Sequence, residues 1–90
     1  MRRCRLHDVE LRYGTKAVRR GMPPAPPQGF FDAEESLFPN AKFFEIGGCL
    51  IPEPGSAEAH DEKRVWYCTT CREAQRSWQT GREVEDFWQI

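Results

Sequence analysis

The chain has no apolar run approaching the ~20 residues that a membrane-spanning helix requires, and Met1-Arg2-Arg3-Cys4-Arg5 leads into charged sequence instead of a hydrophobic signal core. These features exclude a helical membrane anchor and point to a cytoplasmic protein. Histidine is scarce, with only His7 and His60, and neither stands in a His-Glu-x-x-His helix or beside a nucleophile. That absence argues against hydrolytic metal or nucleophile chemistry and for a non-enzymatic module. No internal repeat of useful length occurs, and the net charge of -1 falls well short of a strongly basic nucleic-acid-binding footprint.

What the sequence does contain is four cysteines in 90 residues. A single domain of that length buries only a little over ~60% of its unfolded surface, so a metal, a disulfide or oligomerisation would add needed stability. In a reducing compartment, paired thiols hold metal or exchange electrons more often than they form structural disulfides.

The near-neutral total hides a segregation of charge. Arg2, Arg3, Arg5, Arg12, Lys16, Arg19 and Arg20 face only Asp8 and Glu10 in the first twenty residues, whereas the middle of the chain is acidic. Such blocks are commonly solvated faces. The sharper reading makes Arg2, Arg3, Arg5, Arg19 and Arg20 contacts to nucleic acid, with a protein partner as the other possibility.

Val9-Glu10-Leu11-Arg12-Tyr13 alternates with strand period, Gly14 suggests a turn, and 16–20 suggests a returning strand. The prolines of 22–29 predict a stiff, extended connector, with a Pro-x-x-Pro ligand as the less favoured alternative. Asp32 and Glu35 form a capping pattern for a helix that Pro39 closes. Phe43 to Ile46, Gly47-Gly48 and Cys49 to Ile51 read as a hairpin, and 52–63 as a mobile loop. Strand sequence resumes at Arg64. Thr70 and Glu73 then suggest a capping box for a helix from Cys71, with Cys71, Ala74 and Trp78 on its buried face and Gly81 at its end. The tail, 82–90, places Val84, Phe87 and Trp88 at the spacing of a second short helix, or frays.

Two pairs share the same spacing: Cys4-x-x-His7 and Cys68-x-x-Cys71. Two residues separated by two others in a tight turn can both point at one ion while turn amides donate to sulfur, and two such pairs complete the tetrahedron that zinc prefers. About sixty residues lie between the pairs, far more than in compact zinc fingers. Cys49 is an alternative fourth ligand, giving a Cys4, Cys49, Cys68, Cys71 set should His7 be only a surface residue. His60, among charged neighbours, reads as solvated. Five candidate ligands leave little reason to expect an open catalytic position.

The pattern resembles a family of small uncharacterised bacterial zinc-ribbon-like proteins, through Cys4-x-x-His7, Gly21-Met22-Pro23, the helix at 32–38, Gly47-Gly48-Cys49 and Trp66-Tyr67-Cys68-x-x-Cys71. That family usually has cysteine where this chain has His7. The resemblance implies zinc binding without supplying a substrate. The resulting expectation is one α+β domain over 1–90, with short antiparallel strands and two short helices around a structural zinc ion. It would serve recognition of a macromolecule, in an oligomeric state left open. The alternative from a different class is a thiol-disulfide oxidoreductase using Cys68 and Cys71, because strand, Cys-x-x-Cys and helix is also how reactive thiols are presented.

Overall fold

The computed structural model describes residues 2–48 and 62–90. Cys49, His60, the return strand expected at 49–51 and most of the loop expected at 52–63 lie outside the described residues.

The described chain is an α+β arrangement of strand β1 (Arg12–Arg20), helix α1 (Phe30–Leu37), strands β2 (Phe44–Gly48) and β3 (Glu62–Tyr67), and helix α2 (Thr69–Gln79). A short 3-10 helix, Asp86–Trp88, follows. The sheet has the order β2-β1-β3. β3 runs antiparallel to Arg12 through Ala17, and β2 runs parallel to Ala17 through Arg20. The parallel pair departs from the antiparallel sheet that the sequence suggests, and 21–43, with α1 inside it, is the crossover such a pair requires.

The expected turn at Gly14 does not form, and β1 continues through it. Each half of β1 has its own partner strand, so no returning strand is needed. Gly14 is there for space: a Cβ at this position would meet Tyr67 Cε1 at 2.6 Å. The Gly47-Gly48 pair likewise lies within β2, where a Cβ on Gly47 would meet Val18 Cγ1 at 2.8 Å.

Both helices begin earlier than their sequence signals suggest. α1 starts at Phe30 behind Gly29, which has a φ of 80°, and Asp32 sits in its first turn rather than at its cap. α2 is capped by Cys68, whose sulfur accepts the Cys71 amide, so the Thr70/Glu73 pair is not its cap.

Helices, tail and ligand loops enclose one core: Cys4, Phe30, Ala33, Phe38, Ala41, Cys68, Cys71 and Trp88. Three of these eight are cysteines, so the sulfur cluster is itself part of the hydrophobic interior. The tail docks on that core. The Trp88 indole donates to Pro24 O at 2.9 Å, Gln79 Nε2 to Trp88 O at 3.2 Å, and the Arg19 guanidinium to Phe87 O and to Gln89 O.

Arg72, next to Cys71, joins sheet to helix. It donates to Ala41 O at 2.7 Å, Lys42 O at 2.9 Å and Thr15 O at 3.0 Å, and its guanidinium lies 3.6 Å from the centre of the Tyr67 ring. Burial lowers its pKa. A planar five-donor group suits this site, since it can stack and donate in several directions at once.

Candidate metal centre

The first ligand pair rides on a tight loop closed by short backbone bonds. Cys4 N–H donates to Val9 O at 2.9 Å, Asp8 N–H to Cys4 O at 2.7 Å and Leu11 N–H to Arg2 O at 2.7 Å, with a bridge between Arg3 and Glu10. Asp8 takes a positive φ of 52° to finish the turn. The second pair sits where β3 becomes α2, and Cys68 N–H is anchored on Asn40 O at 2.8 Å. Distant parts of the chain thus present two turns to each other.

Between them, one ligand atom each from Cys4, His7, Cys68 and Cys71 falls within a sphere of contacts no longer than 4.8 Å. Cys4 Sγ and Cys71 Sγ are 3.6 Å apart, and His7 Nδ1 is 3.7 Å from Cys4 Sγ, 3.8 Å from Cys68 Sγ and 3.3 Å from Cys71 Sγ. Tetrahedral zinc with ordinary bond lengths sets edges of about 3.8 Å between sulfurs and about 3.6 Å between sulfur and nitrogen. The donor set and its spacing therefore fit such an ion. Cys4, Cys68 and Cys71 are free thiols in the structure.

The surroundings favour negative sulfur. Asn40 Nδ2 donates to Cys4 Sγ at 3.3 Å, and the Cys71 amide donates to Cys68 Sγ at 3.3 Å. Burial pushes the Cys4 thiol up, but hydrogen bonds from the Asn40 side chain, the His7 and Leu6 amides and the His7 ring outweigh it and bring its pKa down. Cys71 goes the other way: burial, together with the Cys4 and Cys68 thiols, pushes it up against a lowering backbone contact from Asn40. Three sulfurs packed in an apolar interior thus tolerate one negative charge more easily than several, until a cation joins them. The cysteines are at most 1% exposed, and His7 is half-buried. His7 borders an open apolar groove formed with Leu6, Leu37, Ala74 and Trp78.

No protein-family model, curated protein or solved structure matches this chain.

The four residues paired by spacing, Cys4, His7, Cys68 and Cys71, come together in a cluster that could hold a metal ion. The five arginines singled out as nucleic-acid contacts do not meet. Arg2, Arg3 and Arg5 belong to the loop that leads into β1, whereas Arg19 and Arg20 close its other end, roughly 27 Å further along an extended strand. Arg3 is paired with Asp8 at 2.9 Å, and Arg20 reaches Gly47 O at 3.4 Å. Arg19, held over the Phe44 ring at 4.1 Å while it binds tail carbonyls, has a structural task. Asn40 is the residue that sequence reasoning missed, for neither its type nor its spacing sets it apart.

Proposed function

We propose that this chain is a structural zinc-binding module in which Cys4, His7, Cys68 and Cys71 hold one ion that fastens its two ends together. The module would present a surface to another macromolecule. The observation that carries this reading is the convergence of three core thiols and one half-buried imidazole, with ligand atoms all within 4.8 Å of one another. Zinc suits that sulfur-rich donor set. When bound, the ion would supply the positive charge that lets several buried thiolates coexist. His7 would bind through Nδ1, which fixes the proton on Nε2. Asn40 and the turn amides would orient and partly neutralise the sulfurs.

Thiol-disulfide exchange is less well supported. It needs a thiol that a partner disulfide can reach, and Cys68 and Cys71 are both fully buried.

The test is metal content by mass spectrometry on protein purified without chelator, with thiol titration before and after zinc removal. One zinc per chain, with thiols protected until the metal is stripped, is expected. Cys49→Ala should leave that stoichiometry unchanged, whereas His7→Ala should weaken retention of the ion. Metal-free protein with freely reactive Cys68 and Cys71 would sink the proposal, and loss of zinc in Cys49→Ala alone would replace His7 by Cys49.

A further inference from the structure

β1 and β3 carry an aromatic pair that the core does not use. Tyr13 and Trp66 are cross-strand partners, with ring centres 5.0 Å apart. They keep 56% and 39% of their surface exposed, so a large part of each ring faces solvent. Two guanidinium groups lie over them, Arg2 at 4.6 Å from the Trp66 ring centre and Arg64 at 5.8 Å from that of Tyr13, where a base would compete with each for the ring face. Together they form a continuous row of Arg2, Trp66, Tyr13 and Arg64. Thr15, opposite Arg64, is the next residue of β1 on that face, and among the described residues of the two strands the first carboxylate reached along it is Glu62, opposite Ala17.

We propose that this row is a stacking platform for the unpaired bases of single-stranded nucleic acid. The proposal deepens the reading of the chain as an interaction module, and rests on it. Aromatic rings on an exposed sheet face can stack successive bases whatever their identity, and arginines beside them can stack as well as meet phosphate. Among the described residues the row itself is positive with no acid interleaved, which complements a phosphodiester backbone and not another copy of the same face. A duplex keeps its bases stacked inside and offers only its backbone.

The test uses the full chain after metal analysis, titrated into fluorescently labelled oligo-dT and oligo-rU of about twelve nucleotides and into a duplex of equal length. Fluorescence anisotropy is read at about 50 and about 200 mM salt. Single strands should bind more tightly than duplex, and the dT and rU arms show whether one sugar is preferred. Trp66→Ala and Tyr13→Ala should each weaken binding by about tenfold or more, while Trp66→Phe keeps most of it. Arg2→Ala and Arg64→Ala should each reduce the slope of log affinity against log salt by about 0.7.

Zinc-loaded, folded protein that binds none of the oligonucleotides overturns the platform and leaves the metal reading intact. Equal binding by Trp66→Ala and wild type also overturns it, as does a self-association that Trp66→Ala abolishes. Binding that depends on Trp66 in protein without metal would support the platform while removing the zinc proposal.

Discussion

Asn40 donates its side-chain amide to Cys4 Sγ at 3.3 Å and accepts the Cys68 amide at 2.8 Å. Its backbone also lowers the pKa of Cys71, so one residue bears on all three cysteines. Groups that hydrogen-bond metal ligands commonly contribute about 10–100-fold in metal affinity. Asn40→Ala should therefore weaken zinc binding within that range, as measured by competition with a chromophoric chelator. Asn40→Asp should weaken it further, because a carboxylate oxygen would then face sulfur. Unchanged affinity in Asn40→Ala would show that its side-chain N–H does not help to hold the charge. The four clustered residues were legible because a two-residue gap is a local property of a turn. Asn40 was not, since it lies 36 residues from Cys4 and acts only after the fold has brought them together.

At the scale of elements, glycine misled most. Gly14 has the look of a turn residue, but the turn would leave β1 without use for its outer edges, and the structure pairs both. Substitution separates the two interpretations. In a strand interior, replacing glycine by alanine ordinarily gains about 0.5–1 kcal/mol through reduced chain entropy. Here the new methyl would stand 2.6 Å from the Tyr67 ring, which cannot slide freely because Arg72 covers it at 3.6 Å. Overpacking of this kind costs about 1–3 kcal/mol and outweighs the entropic gain. Gly14→Ala should lower the midpoint of chemical denaturation, and Gly14→Ala in a Tyr67→Leu background should recover part of the loss. A stabilised single variant would mean that Gly14 is not packed as described. The strand sequence from Arg64 located most of β3, but the i, i+3, i+7 pattern located the buried side of α2 only in part: Cys71 is buried as expected, Ala74 and Trp78 are half-buried, and the other buried residues are Gln75 and Gln79. The same pattern did not locate the cap of α2, which is a sulfur atom and so lies outside the usual capping residues.

For the molecule as a whole, the described chain forms a plate only 16 Å thick, and three of its deepest side chains are cysteines. Core stability and metal occupancy should thus be two aspects of one equilibrium, with protons as the competing ligand. Cys71, pushed up by burial and neighbouring thiols, keeps its proton at neutral pH until metal displaces it. Cys4, whose pKa is lowered from 9.0 to about 6, is already ionised there and gains a proton only in acid. The sign follows from linkage: a site that must lose protons to bind metal loses affinity as pH falls. Near neutrality the Cys71 proton by itself contributes about tenfold in zinc affinity per pH unit of acidification, and any other proton released on binding adds to that slope. The dependence should steepen below the pKa of Cys4, where a further proton competes. Chelator competition between pH 8 and pH 5 would measure both slopes, and thermal denaturation over the same range should show the melting temperature of the zinc-loaded chain falling in parallel. A zinc affinity independent of pH across that interval would mean that thiolates are not the ligands. A melting temperature that stays constant while zinc is lost would mean that the core stands without its ion, and the fold would then owe its stability to Phe30, Phe38, Trp88 and the arginine clamps instead.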